Sequence, residues 1–224
     1  MNSPDDEAVS TETPAPQRRR RLGDVGKQVS ERLDGARGLQ ARYLNNESQG
    51  RAELAQLRKA VTLAPGESAA IWHLTSIEEP EFVGDDPTWK EIAVHTAMTL
   101  YAVHQQSRTH EMHQAGRGFG AAASLLVREG GGEESSTRKH YNALVTSTTI
   151  DELRHHLRTF VSKLRAEQIP LDYAMLADDL FHFQLPGGAT KVRLRWSRQY
   201  SRTENSTIPA NNQQSQSPIS SEEN

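Results

Sequence analysis

The chain has 224 residues, 26 Lys and Arg against 29 Asp and Glu, a formal net charge of −3 and no cysteine. The length suits one ordinary domain or two small ones. The missing cysteine excludes a disulfide framework and any thiolate metal site, and no run approaches the ~18 apolar residues of a membrane span.

The leading segment, about residues 1–21, holds Asp5, Asp6, Glu7, Glu12, Pro14 and Pro16 and almost nothing to bury. The trailing segment, 201–224, is a Ser/Asn/Gln tract with two prolines. Neither offsets its ordering entropy by burial, so both are expected to be disordered tails. The Arg18–Arg21 run is no export signal, because no apolar stretch follows it. The absence of cysteine suits a reducing cytosol, and a soluble, cytoplasmic protein is expected.

The even charge hides a pattern. Residues 18–60 hold 11 basic and 5 acidic residues, a net of +6. Residues 61–137 hold 4 and 11, a net of −7, and residues 138–200 hold 10 and 6, a net of +4. Two basic blocks flank an acidic middle, which leaves a polyanionic partner open.

Apolar spacing is helical nearly throughout. Val29, Leu33, Ala36 and Tyr43 recur at three-, four- and seven-residue steps, and Leu54, Leu57 and Val61 follow behind Ser48 as a fair N-cap. Pro65–Gly66 ends that helix, and a short apolar element surrounds Ile71. The stretch GDDPTWKE predicts a helix start with Asp85 or Asp86 as cap and Pro87 in the first turn. Ile92, Ala93, Thr96, Leu100 and Val103 then mark one face. Phe119–Val127 is an apolar helix whose small residues 120–123 admit a close neighbour. The glycines at 130–132 divide two helical halves, 22–129 and 133–200. Arg138–Thr146 forms a helix, and Thr149 with Glu152 has the capping-box pattern opening the next. Pro170 breaks that helix, and Tyr173, Leu176, Ala177 and Leu180 form a further stripe. The last element, near ATKVRLRWSRQY, fits strand or helix spacing; with no second strand to pair with, it is expected to be helix. The expected fold is all-α, a compact bundle of about eight to nine helices in two halves.

His104, His110 and His113 fall within ten residues. A catalytic zinc site needs three converging ligands, often at i and i+4 on a helix. His110 and His113 are spaced i, i+3, and Ser107, Thr109, Gly116 and Gly118 place the stretch in a loop. The favoured reading is a helix end and a polar connection, with no metal and no cofactor. A hydrolase using these histidines with Glu111 lacks any nucleophile–base–oxyanion arrangement.

Several pieces occur in a distinctive order: LYAVHQQS, MHQAGRGFGAAASLL, RKHYNALV, TIDELRHHLRTFVSKLR, PLDYAMLADDL and the closing WSRQY. Together, over about Lys27 to Tyr200, they resemble the CasB small-subunit family of the type I-E CRISPR Cascade complex. The resemblance implies an all-helical, non-enzymatic subunit, present in two copies. Its implied partners are the backbone and large Cascade subunits, the crRNA, and the target and non-target DNA strands of the R-loop.

The basic residues point the same way on their own. Unwound at ~100° per residue, the helix from Thr149 puts Arg154, Arg158 and Arg165 within ~40° of one another, over roughly 16 Å, beside the buried face. Arginine donors suit phosphate oxygens; a solvated helix face, or pairing with Asp178 and Asp179, is the competing reading. Arg51 and Arg58 line the edge of the 48–61 helix, with Lys59 further round. By resemblance, Arg58–Lys59 and Arg138–Lys139 match basic pairs of the family and Arg154 a third position. Lys191, Arg193 and Arg195 fall, by the same resemblance, in its C-terminal basic segment. The threonine-rich 146–149 turn lacks basic residues that some relatives carry. Few aromatics interleave the basic residues, so backbone contact rather than base stacking is expected. The alternative is a helical protein–protein interaction module that touches no nucleic acid.

Overall fold

The apolar spacing becomes ten α-helices in a computed structural model that describes residues 20–77, 84–130 and 135–207. They are α1 (Asp24–Leu33), α2 (Leu39–Leu44), α3 (Ser48–Lys59), α4 (Trp72–Thr75), α5 (Trp89–Gln105), α6 (Phe119–Glu129), α7 (Ser136–Thr146), α8 (Ile150–Ala166), α9 (Tyr173–Gln184) and α10 (Gly188–Thr207). Two of these, α2 and α4, are only 6 and 4 residues long; the other eight match the bundle expected. Among the described residues the β content is one isolated bridge, His113 to Leu171. No helix is long and apolar enough to cross a membrane among those residues. Most of both tails lies outside the described residues, but α10 continues to Thr207, seven residues past the expected boundary at Tyr200.

Local chemistry sets the boundaries. The helix expected to run from Val29 to Tyr43 is instead two, broken after Leu33 where Gly35 adopts φ +78°. Only glycine takes that conformation without strain. α5 starts two or three residues later than its Asp-Asp-Pro signal suggested, at Trp89. Thr88 is the cap: its hydroxyl accepts from the Glu91 N–H at 3.3 Å, and the Glu91 carboxylate accepts from the Thr88 N–H at 2.8 Å. A capping box satisfies two orphan donors at once, which a lone aspartate does not. The cap of α3 is Glu47 rather than Ser48. Thr149 caps α8 as expected, accepting from the Glu152 N–H at 3.2 Å, but the Glu152 carboxylate reaches Thr148 instead of the cap residue.

The two sequence halves share one hydrophobic cluster. It runs from Val25 and Leu33 through Met98, Tyr101 and Phe119 to Phe160, Tyr173 and Trp196. α5 lies at its centre, packed against α1, α3, α8 and α9, and twelve of its residues are buried. α10 packs along α6, where Phe119 meets Trp196 at a ring separation of 4.6 Å. The small residues of α6 make this possible: a Cβ on Gly120 would overlap the Trp196 carbonyl oxygen.

Two buried histidines lie on α5. Burial pushes His104 down to about 3. Burial, with Arg154 nearby, holds His95 at about 4. Both are neutral in the folded chain at neutral pH. Their ordinary value in the unfolded chain is ~6.5. The stability they support is therefore complete above that value and is lost as pH falls toward 4 and 3.

Two outcomes follow for unfolding in urea. Gly120→Ala should lose about 1–3 kcal/mol by overpacking, while Ala121→Gly loses under ~1 kcal/mol; equal losses would contradict the close approach of α6 and α10. Between pH 6.5 and 5 the stability should fall by up to about 2 kcal/mol per buried histidine. A flat profile, or one that His95→Gln leaves unchanged, would contradict the burial of neutral rings.

Candidate nucleic-acid interface

Helices α3 and α8 both pack on α5, and this brings two arginine rows to neighbouring surfaces. Arg51 and Arg58 on α3 line a cleft of about 550 Å³ with Tyr43, Gln106 and Ser107. Arg154 and Arg158 on α8 line a second cleft of about 180 Å³ with Val61, Thr62, Thr96 and His155. Arg165 joins them: its Nε donates to the Gln106 carbonyl at 2.9 Å, at the wall of the first cleft. The row on α8 sits beside five residues buried in the core, so the helix cannot turn it away.

The competing reading, in which this row pairs with Asp178 and Asp179, does not hold: neither carboxylate lies within 4.0 Å of Arg154, Arg158 or Arg165. Arg154 is partly committed, with one nitrogen 3.3 Å from Asp151 and the other donating to the Leu63 carbonyl at 3.2 Å. Arg51 donates to the Asn46 side-chain oxygen at 3.2 Å. No carboxylate among the described residues lies within 4.0 Å of Arg51, Arg58, Lys59, Arg158 or Arg165.

Asp178 and Asp179 serve a different purpose. Both are buried. Asp178 accepts from the Gly23 and Gly26 N–H groups at 2.7 Å each, holding the start of α1. Asp179 accepts from Trp196 Nε1 at 2.7 Å, from Arg20 at 2.6 Å and from Arg195. Arg195 is therefore an internal ion pair as well as a surface residue. Two other expected site residues are also committed. Arg193 donates to the Ser147 carbonyl. Arg138 lies over the rings of Tyr141 and Tyr200, 5.8 and 4.9 Å from their centroids. Lys139 is exposed on α7.

A third and larger cleft, about 1070 Å³, opens between α10, α6 and the loop at 114–118. Among the described residues six cations line it, Arg20, Arg117, Lys191, Arg195, Arg198 and Arg202, and no carboxylate does. Lys191, Arg195, Arg198 and Arg202 are spaced i, i+4, i+7 and i+11, which on a helix is a stripe within ~60° over roughly 16 Å. Of these residues, the sequence alone pointed to Lys191 and Arg195. Arg198 is legible in that spacing within the part ending at Tyr200, and only Arg202 lies beyond that boundary. Arg117 carried no such signal, because only the fold brings its loop beside α10. It is half-buried, and burial lowers its guanidinium from the ordinary range. No carboxylate among the described residues comes within 4.0 Å of Arg117, Lys191, Arg198 or Arg202.

The three histidines go separate ways. His104 is buried with Nδ1 2.8 Å from the Tyr173 hydroxyl. His113 Nδ1 accepts from the Tyr173 N–H at 3.0 Å, and its Nε2 lies 3.0 Å from Asp34. His110 is exposed in the loop. No group of three His, Asp or Glu among the described residues is placed to hold a metal ion. The histidine-rich stretch instead fastens the loop to α9 and to Gln40, whose amide exchanges hydrogen bonds with the His113 backbone at 2.9 and 3.1 Å.

Comparisons with known proteins converge on one family. The model of the CRISPR-associated protein Cse2 matches residues 53–200. The crystal structure of CasB from Thermobifida fusca is similar at 35% identity and a TM-score of 0.68, over 80% of this chain and 99% of that one. A Cse2-family protein from Thermus thermophilus shares the fold at 23% identity and a TM-score of 0.56, covering 79% and 97% of the two chains. So does a chain of a CRISPR RNA-guided surveillance complex, at 21% identity and a TM-score of 0.60, covering 81% and 94%. No curated protein matches. The matched span holds α4–α9 and most of α3 and α10, so this chain belongs to the Cse2 (CasB) family of CRISPR-associated proteins.

Proposed function

We propose that this chain is a non-catalytic small subunit of a crRNA-guided CRISPR surveillance complex, where it grips the sugar–phosphate backbone of nucleic acid and steadies the R-loop. Family membership and the shared fold with a chain of such a complex support the first part. The single observation that carries the second is the set of cations on α3, α8 and α10 that no carboxylate among the described residues approaches within 4.0 Å. Arg58, Arg158, Lys191 and Arg198 are its members on described helices whose other faces are core.

The mechanism is electrostatic. Each cation that meets a phosphate releases condensed counterions, and binding weakens as salt rises. Aromatic rings are few in the clefts, Tyr43 in the first and His155 in the second among the described residues, so stacking of successive bases is not the main contact. Binding is then indifferent to sequence, and guide pairing supplies specificity. Exchange of a DNA duplex for a guide heteroduplex is nearly balanced, so weak backbone contacts are enough to tip it. Partner subunits, the crRNA and a second copy of this chain fix its position, so modest affinity suffices. Arg154, Arg138 and Arg193 contribute mainly to holding the fold, given their internal acceptors and ring contacts.

Arg58→Ala/Arg158→Ala should weaken binding of the chain to single-stranded oligonucleotides uniformly across sequences. It should also flatten the slope of log K against log salt by about 1.4, at ~0.7 per phosphate. In the reconstituted complex the same change should shorten R-loop lifetime. An unaltered slope and lifetime would contradict backbone binding, and wild-type affinity without any salt dependence would favour a module that binds protein alone.

A further inference from the structure

Arg117 sits on no helix, yet the chain is clasped on both sides of it by one residue. Asp172, 4% exposed at the start of α9, donates its N–H to the Arg117 carbonyl at 2.8 Å. Its Oδ2 accepts from the Gly116 N–H at 2.6 Å. Its Oδ1 accepts from the Met175 N–H at 2.8 Å as the N-cap of α9. Gly116 makes the clasp possible by turning at φ +90°, where a Cβ is strained. The Gln114 N–H ties the same loop again, donating to the Leu171 carbonyl at 3.2 Å. On its other side the loop abuts α10: a Cβ on Gly118 would lie 2.4 Å from the Gln199 side-chain nitrogen.

The clasp holds a cation from which the fold alone gains nothing. Arg117 is half-buried, and no carboxylate among the described residues lies within 4.0 Å of it. Desolvating an unpaired charge costs free energy. Asp172 does not offset that cost as an ion pair, because both of its carboxylate oxygens accept from backbone N–H groups. Arg117 instead lines the α6–α10 cleft together with Lys191, Arg198 and Arg202 of the α10 stripe. A phosphate bound by the stripe would meet Arg117 at the loop wall of that cleft. A guanidinium whose backbone is already fixed loses little freedom on meeting it.

We propose that Arg117 is a further phosphate contact of this chain and that Asp172 is its positioning residue, presenting the guanidinium to a strand held by the α10 stripe. The proposal rests on the backbone-binding reading and adds to it a pair of residues that helix spacing does not reveal. Asp172 itself touches no phosphate. It acts through the backbone at 116–117, so its loss frees the loop and withdraws one cation from the cleft.

Binding of an oligothymidylate to the full chain over a range of salt tests this. Arg117→Ala should flatten the slope of log K against log salt by about 0.7, the value of one phosphate contact on a single strand. Asp172→Ser keeps a capping oxygen for α9 and has no second oxygen for the Gly116 N–H. It should flatten the slope by a similar amount, and adding it to Arg117→Ala should flatten it no further. Removing a negative charge without moving Arg117 would tighten binding to a polyanion, so weaker and flatter binding is specific to the lost position. Gly116→Ala leaves the carboxylate in place and strains the same turn. It should give the same loss, and it decides the matter where Asp172→Ser does not fold. A lower melting temperature with an unaltered slope in these variants would make Asp172 a structural cap alone and overturn the proposal, as would an unaltered slope in Arg117→Ala. Arg58→Ala/Arg158→Ala checks the underlying reading separately. If that change flattens the slope and these do not, only the role of Arg117 and Asp172 fails; if the parent chain binds without salt dependence or not at all, both fall.

Discussion

The arrangement of the whole C-terminal face depends on two adjacent buried carboxylates, Asp178 and Asp179. Each is satisfied by donors from other elements: backbone N–H groups of α1 for Asp178, and Arg20, Arg195 and the Trp196 indole for Asp179. Buried carboxylates persist only when paired and hydrogen-bonded, and removing one partner from such a group costs ~3–5 kcal/mol. The pair therefore fixes α1 and α10 against α9 and sets which face of α10 looks outward. Gly26 shows how tight the junction is, since a Cβ there would lie 2.6 Å from an Asp178 oxygen and 2.7 Å from the Ala174 carbonyl.

That junction also sorts the positive charge. Arg20 and Arg195 serve the interior, as does Arg42 against the Glu53 carboxylate at 2.6 Å. Glu53 is accordingly held below the ordinary carboxylate range: burial opposes this, but the bonds from Arg42 and Gln49 outweigh it. Arg138 is stacked on tyrosines. What is left over lies in rows: Arg58 on α3, Arg158 and Arg165 on α8, and Lys191, Arg198 and Arg202 on α10. A formal charge of −3 says nothing of this. A polyanion responds to the local field of such rows rather than to the sum.

Much of the architecture was legible because it is written in local chemistry. The 3.6-residue periodicity located most of the helices, Thr149 announced its own cap, and the glycine and alanines at 120–123 announced a close neighbour, which the fold supplies as α10. The misreadings have equally local causes. The break at Gly35 was hidden because apolar residues keep their spacing across it. Two aspartates and a proline just before Thr88 give a louder start signal than Thr88 itself. The site was harder to read, because the sequence shows which cations share a helix face and not which carboxylates reach them from another helix. By sequence Asp178 and Asp179 compete as partners of α8; they face α1 and α10, a fact of tertiary packing alone. Arg117 belongs to the same class, since no spacing rule links a loop residue to a stripe more than seventy positions later.

The central claim is that phosphates meet the cations left unpaired and not those consumed by the fold. Arginine-selective modification of the assembled complex, with and without a bound R-loop, followed by mass mapping, tests it most directly. The account predicts protection of Arg58, Arg158, Arg198 and Arg202 on R-loop formation, with Arg138 and Arg193 equally unreactive in both states. Unchanged reactivity at the first four would contradict it.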